Sequence, residues 1–160
     1  MNKRWNKIYE DNKQIDLTYI NKYGDTNEKF RNDCIELLVE LGEFINETKC
    51  FKYWTIKKPE KDKVLDEYAD CLLMVLSFYN RLNMEIEEVN DKTNVDLLDL
   101  INETFYLSTK IINDFNKDLI KNIFDNLINI GKLLNYSEEE ILNGLELKQK
   151  IIVERLNSNY

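Results

Sequence analysis

The sequence VLDEYADCLLMVL, residues 64–76, decides how this 160-residue chain folds. The run is too apolar for a solvated surface, so it predicts a buried helix. Glu67 and Asp70 interrupt it, and because they are three residues apart, their side chains leave the same face of that helix. Carboxylates in such a place cost several kcal/mol each unless a positive group meets them. A divalent metal ion is the simplest such group, and a lysine or backbone donors are the alternative.

A second series of acids lies on the preceding predicted helix, at steps of four, three and four residues: Glu36, Glu40, Glu43 and Glu47. We expect the opposite side of this helix to face the core through Ile35, Leu38, Leu41 and Ile45. Taken alone, the acidic side fits the solvated face of an amphipathic helix as well as it fits a metal site. If the two helices are antiparallel neighbours, their acids converge into a set of oxygen ligands, which favours Mg²⁺ or Mn²⁺ over zinc.

The composition predicts one mostly helical domain over residues 1–160. Hydrophobic residues make up 43% of the chain, enough for a folded core, and only four glycines and one proline interrupt it. The periodicity indicates six helices and no strand, at about residues 3–22, 27–49, 61–82, 95–113, 114–134 and 137–156. The last helix begins at Ser137, whose spacing to Glu140 is that of a capping box. We therefore expect an all-α helical bundle.

The charge and the distribution of apolar residues exclude several classes of partner. A net charge of −8 argues against a nucleic-acid surface. The longest apolar run, residues 71–76, is far too short to span a bilayer. Residues 1–7 lack the apolar stretch of a signal peptide. We therefore expect a cytoplasmic protein with neither a nucleic-acid nor a membrane partner.

The absence of histidine narrows the chemistry further. It excludes Ser-His-Asp and Cys-His catalysis, together with the common zinc and di-iron sites that use histidine. Cys34, Cys50 and Cys71 have no C-x-x-C spacing and indicate buried or unused thiols. Acid–base chemistry must then come from carboxylates, lysine, tyrosine or metal-bound water. Mg²⁺ held by carboxylates beside basic side chains is typical of a phosphate-handling site, and the sequence contains no P-loop.

The acid spacing resembles that of a known family. E-x-x-E on one helix, followed after a loop by E-x-x-D on the next, resembles the all-α NTP pyrophosphohydrolases, which include MazG-like enzymes and dimeric dUTPases. The ELGE motif at residues 40–43, followed by NETKCFKYW at residues 46–54, is similar to the dimeric dUTPases in particular. This close similarity covers residues 36–79. The C-terminus resembles the tail K-x-x-x-N-x-x-R-Q-x-x-G-Y of that family, and residues 12–16 resemble its Q-x-x-L-D stretch.

The resemblance implies a dimeric helical bundle that hydrolyses dUTP, and also dUDP, in a Mg²⁺-dependent reaction; Mn²⁺ is a second candidate metal. It implies that the metal is held by Glu40, Glu43, Glu67 and Asp70, with Glu47 as a further ligand. Glu40 would orient and deprotonate the attacking water. The phosphates would meet Lys52, Lys148, Arg155 and Tyr160. Trp54 would pack against the nucleoside, although a core role is the alternative for a tryptophan.

This chain differs from the family at positions that would recognise the nucleotide base. The family's N-terminal Gln corresponds to Asn12, and its tail Asn, Gln and Gly correspond to Ile152, Leu156 and Asn159. The resemblance implies that the first two positions help to read uracil, and Ile152 cannot replace the hydrogen bonds of an amide. Two alternatives to a dUTPase follow. One is a dCTP-directed or broad-specificity dNTP pyrophosphohydrolase, and the other is a non-catalytic helical protein that binds a partner through its acidic surface.

Overall fold

The computed structural model describes residues 2–158, and over this range the chain forms six α-helices and no strand. The helices are α1 (Lys3–Tyr23), α2 (Asn27–Thr48), α3 (Lys61–Arg81), α4 (Leu97–Lys110), α5 (Lys117–Leu133) and α6 (Glu138–Asn157). The predicted all-α class and the number of helices are confirmed. The largest difference is at α4, which is shorter than predicted because Asp96 caps its N-terminus and the chain turns after Lys110.

The helix ends follow the local sequence. The predicted capping box is present, since the Ser137 hydroxyl accepts from the Glu140 N–H and the Glu140 carboxylate accepts from the Ser137 N–H. Gly24 ends α1 with a φ of 84°, a conformation that favours glycine. None of the helices over residues 2–158 has an apolar stretch long enough to cross a membrane.

Helices α2 and α3 pack most extensively on each other, and α6 packs on α3 and α1. Pairs of charged residues show that α2 and α3 are antiparallel. Glu43, near the end of α2, raises the pKa of Glu67, near the start of α3. Arg81, at the end of α3, lies 3.9 Å from Asp33, near the start of α2. Because α2 and α3 are antiparallel neighbours, the acidic face of α2 can meet Glu67 and Asp70 of α3. Helices α4 and α5 form a second pair, and α5 also packs on α3.

The core-facing side of α2 was predicted wrongly in part. Leu41 and Ile45 are buried as expected, but Leu38 is only half-buried and the side chain of Ile35 is 54% exposed. Leu37 and Phe44 occupy the centre of the buried face instead. The apolar arc of α2 is wider than the surface that α3 and α4 cover, so part of it remains exposed.

Helix α5 is more completely buried than α3, even though α3 contains the apolar run at residues 64–76. Eleven of its 17 residues are buried, compared with ten of 21 in α3. Gly131 allows this close packing, since a Cβ there would lie 2.5 Å from the hydroxyl of Tyr68, which donates to the Leu127 carbonyl. Three polar residues of α5 are also fully buried: Asp125, Asn126 and Asn129, called here the α5 polar cluster.

Candidate functional site

Three carboxylates from α2 and α3 converge in the structure, as the spacing of the acids predicts. One oxygen each from Glu40, Glu67 and Asp70 lies within 4.8 Å of the others, and we call these residues the acid triad. Mg²⁺ binds oxygen ligands at about 2.1 Å, so two ligands on opposite sides of one ion are about 4.2 Å apart. A separation of up to 4.8 Å is slightly larger than this, so a small side-chain adjustment would let the triad hold a single Mg²⁺ or Mn²⁺ ion, which its all-oxygen chemistry suits.

Burial and mutual repulsion make the triad hard to ionise without a cation. Burial, followed by the charges of Asp70, Glu43 and Glu67, raises the pKa of Glu40 to about 7. Burial also raises the pKa of Glu67 and of Asp70 above their ordinary values. Negative charge at the triad is thus unfavourable at neutral pH, and a bound dication would relieve it.

The other acids of α2 lie around the triad rather than within it. Glu43 is exposed, but it is close enough to raise the pKa of both Glu40 and Glu67. Glu47 is half-buried, and its charge contributes to the raised pKa of Lys63 at the start of α3. Glu36 lies one turn before Glu40 and lines the cleft described below. The structure therefore brings three of the four predicted metal ligands together and places Glu43 beside them.

Lys148 of α6 is the basic residue in direct contact with the triad. Its Nζ lies 2.6 Å from Asp70 Oδ2 and 2.8 Å from Asp66 Oδ1, and the residue is only 6% exposed. Burial disfavours the ammonium, but these hydrogen bonds outweigh the burial and raise the pKa of Lys148. Lys148 was predicted to meet phosphates, and in the structure it meets carboxylates at the edge of the triad.

A cleft of about 980 Å³ opens from the triad and runs between α1, α2, α3 and α6. Glu40 and Asp70 lie at one end, and Asp25 and Arg81 lie at the other. Its walls contain both polar and apolar residues, and the apolar ones include Leu73, Met74 and Ile152. Arg155, which is exposed, also lines the cleft and lowers the pKa of Asp70. A cleft of this size accommodates a nucleotide-sized ligand.

A chain of hydrogen bonds forms the floor of the cleft. Asn12 Nδ2 donates to Leu73 O and to Ser77 Oγ, at 3.2 and 3.1 Å. Ser77 Oγ donates in turn to Asp16 Oδ1 at 2.6 Å, and Asn80 donates to the other oxygen of Asp16. Both amide hydrogens of Asn12 are therefore used within the protein, which leaves its carbonyl Oδ1 to meet a ligand that donates.

The resemblance implies a role for Asn12 but none for the partners that orient it. Asp16 stands four residues after Asn12, so the two share a face of α1 with the buried Ile8 and Ile15. A polar pair on an otherwise apolar face is the signal that could have identified Asp16. Ser77 gave no such signal, because its partners lie on a different helix.

Two predicted substrate residues lie on the loop between α2 and α3 and do not line the cleft. Trp54 is 63% exposed and packs against Phe51 and Tyr53, with ring centroids 6.0 and 5.1 Å away. It is therefore not a core residue of this chain. Lys52 lies on the same loop, with its Nζ 5.7 Å from the Phe51 ring centroid. Tyr160 lies outside the described residues.

Comparison with known proteins assigns the chain to a family. The sequence model of a family described as dUTPase matches residues 4–160, nearly the whole chain. No curated protein sequence matches it significantly. The matched range includes all of the six helices except the first residue of α1, and it includes the acid triad and every residue described along the cleft.

Proposed function

The chain belongs to the dUTPase family and hydrolyses dUTP to dUMP, and we propose that the reaction takes place where the cleft meets the acid triad, with Mg²⁺ bound there. The convergence of Glu40, Glu67 and Asp70 at the end of a nucleotide-sized cleft is the observation that supports this proposal. Mn²⁺ would suit the same oxygen ligands. Glu43, which raises the pKa of Glu40 and of Glu67, would complete the ligand set, and Glu47 is the further candidate on the same helix.

The metal, when bound, would polarise the phosphate oxygens and neutralise the charge that develops on them. Glu40 would orient the attacking water and accept its proton. Its position supports this role, because it is half-buried, lines the cleft and has a pKa of about 7 in the metal-free protein. The balanced reaction consumes one water and releases dUMP and pyrophosphate.

Basic residues at this end of the cleft would bind the phosphates. Arg155 lies in the cleft wall near Asp70, and Lys148 lies beside the same carboxylate. Lys52, which does not line the cleft of its own chain, and Tyr160, at the C-terminus, are the further candidates for this role. The negative charge of the triad disfavours a polyanion without a metal, which also makes a nucleic-acid partner unfavourable.

The nucleoside would occupy the part of the cleft floored by Asn12 and Ser77. Since the amide hydrogens of Asn12 are used by the protein, its Oδ1 would accept a hydrogen bond from the base. Uracil has an N–H at its N3 position, whereas cytosine has a lone pair there, so this arrangement favours uracil. Ile152 in the cleft wall supports the second candidate, a less selective dNTP pyrophosphohydrolase, because it supplies no hydrogen bond.

We propose that the protein is a homodimer that associates through the exposed apolar side of α2. Ile35 and Val39 are 54% and 53% exposed, and a Cβ on Gly42, which shares their side of the helix, would touch nothing within 4 Å in this chain. An exposed apolar stripe with a glycine suits close packing against a second helix. Trp54, which does not line its own cleft, could then approach the nucleoside of the partner. A single monomeric mass in sedimentation equilibrium at micromolar concentration would refute the dimer.

The site of action follows from the substrate. An enzyme that removes dUTP from the nucleotide pool works where that pool is, so we propose a cytoplasmic location. Membership of an enzyme family leaves the alternative of a non-catalytic binding protein without support.

Release of pyrophosphate from each triphosphate, and of orthophosphate from dUDP, tests the proposed function. We expect turnover of dUTP with Mg²⁺, slower turnover of dUDP, little turnover of dCTP and no turnover in excess EDTA. Faster hydrolysis of dCTP than of dUTP would favour the broad-specificity candidate and refute the role given to Asn12. Undiminished hydrolysis in EDTA would refute the metal dependence. An Asn12→Asp variant is a matched probe, since it retains an oxygen at the position of Oδ1 but loses the donors to Leu73 and Ser77.

A further inference from the structure

Lys148 pairs with a carboxylate that a metal ion at the triad would also use. Its ammonium is buried and bridges two carboxylates one helical turn apart on α3, at 2.8 Å from Asp66 and 2.6 Å from Asp70. Of these two acids only Asp70 belongs to the triad. Asp66 is 48% exposed and lies outside it. One positive charge is therefore shared between an acid that a metal would use and an acid that it would not.

Asp70 carries one negative charge, so it cannot fully neutralise both the Lys148 ammonium and a bound dication. A carboxylate oxygen at 2.6 Å from an ammonium is engaged in a strong charge-assisted hydrogen bond, and a dication beside the same carboxylate repels that ammonium. Without metal, Lys148 offsets part of the unfavourable charge of three converging acids. With metal, Asp70 no longer needs it, and the dianionic end of a triphosphate becomes the better partner.

We propose that Lys148 is an exchangeable counter-ion of the triad, held in place by Asp66, which yields Asp70 to the metal and turns its charge to the substrate phosphates. This inference rests on the metal-dependent function proposed above. Asp66 is a positioning residue in this scheme. It keeps the ammonium at the site after Asp70 has been given up, and it does not touch metal or substrate.

The scheme predicts opposite effects of one substitution on two ligands. In Lys148→Met the metal no longer competes with an ammonium for Asp70. We expect Mn²⁺ to bind the nucleotide-free protein about tenfold more tightly, the size of effect expected for one charge removed near a partly solvated site. We expect a non-hydrolysable dUTP analogue to bind at least about tenfold more weakly in the presence of metal, because a charged contact to phosphate is lost.

Isothermal titration calorimetry with Mn²⁺ alone, and then with the analogue at saturating Mn²⁺, measures both affinities. Lys150→Met is the matched control, since Lys150 is an exposed residue of the same helix and the substitution changes the net charge equally. Its Mn²⁺ affinity should match that of the unmodified protein. Unchanged or weaker Mn²⁺ binding in Lys148→Met overturns the inference alone. Failure of the unmodified protein to bind Mn²⁺ overturns the proposed metal site and the inference with it.

Asp66→Asn provides a second, independent variant that leaves Lys148 in place. The ammonium can then pair only with Asp70, so we expect Mn²⁺ to bind several-fold more weakly, the opposite of the effect of Lys148→Met. The KM for dUTP should rise more than kcat falls, and Asp66→Glu should restore both. If Lys148→Met does not fold, as judged by its circular dichroism, the Asp66 pair decides: tighter or unchanged Mn²⁺ binding in Asp66→Asn refutes the scheme.

Discussion

The acid triad and the α5 polar cluster both place acidic or amide side chains inside the helical bundle. Only the α5 polar cluster has a partner within the protein for each of its buried polar groups. In the α5 polar cluster, Asp125 accepts from Lys121 at 2.6 Å and from Asn90 at 2.8 Å. Asn129 accepts from the Lys92 N–H and donates to the carbonyls of Asn90 and Asp125. The triad has instead three acids facing each other, with one lysine at its edge.

This difference indicates that the α5 polar cluster stabilises the fold, whereas the triad is suited to bind a cation. The α5 polar cluster holds the connection between α3 and α4 against the bundle, and its partners come from that connection, from α4 and from α5 itself. Every buried group has a partner, so the cluster stabilises the fold and needs no ligand. The triad retains unfavourable charge in the folded protein, which is the condition under which a site gains most from binding a cation.

Removal of one triad carboxylate should give the largest effect on activity. We expect Glu67→Gln to lower the rate of dUTP hydrolysis by about 10³-fold, because a ligand that offsets charge in the transition state is lost. Its Tm without metal should equal or exceed that of the unmodified protein, since the substitution removes a repulsive charge. Unchanged activity would exclude Glu67 from the site, and a large fall in Tm would make the triad structural.

Removal of an acid from the α5 polar cluster should have the reverse result. We expect Asp125→Ala to lower the free energy of unfolding by about 3 kcal/mol, because it breaks a buried pair, leaves the Asn90 amide without an acceptor and leaves Lys121 with the Glu88 carbonyl alone. Urea denaturation measures this change. Below the new Tm, the variant should hydrolyse dUTP at nearly the original rate. A loss of activity comparable with that of Glu67→Gln, in a folded variant, would remove the distinction between the two regions.

A smaller effect is expected from pH, at the triad alone. In the metal-free protein Glu40 has a pKa of about 7, so below that pH a metal must displace its proton. The rise in Tm caused by Mg²⁺ should therefore grow as the pH increases from about 6 and level off above about 7. Without metal the sign is reversed: a raised carboxyl pKa favours the folded state at low pH, so this contribution is lost as the pH rises through 7.

Differential scanning fluorimetry with EDTA or with Mg²⁺ between pH 5.5 and 8 measures both trends. Glu40→Gln should remove the pH step in each series, whereas Asp125→Ala should retain it. A pH step that survives in Glu40→Gln would assign the titration to another group.

Much of the candidate site was predictable because its signals are local. Glu67 and Asp70 share a face through their spacing alone, and the apolar residues around them made that face anomalous. The antiparallel approach of α2 then brought Glu40 to them. The error at Ile35 has a related cause: periodicity identifies an apolar arc but does not show how much of it the neighbouring helices cover.

The α5 polar cluster shows where local signals end. Asp125, Asn126 and Asn129 belong to a helix whose polar residues, read as sequence, resemble a solvated face. Their burial depends on the long connection that covers them, whose residues Asn90 and Lys92 are more than 30 positions away along the chain. No periodicity within α5 reports on that connection.

The sequence by itself determined the helical class, the ends of α1, α2, α3 and α6, and the two faces of acids, because propensity, capping and side-chain direction act within a few residues. Only the tertiary structure decided which groups the acids meet. It placed Lys148 between Asp66 and Asp70, coupled Asn12 to Asp16 through Ser77, and left Trp54 outside the cleft of its own chain. These contacts join separate helices, so they depend on how the helices pack, and packing is set by the whole core rather than by any one segment.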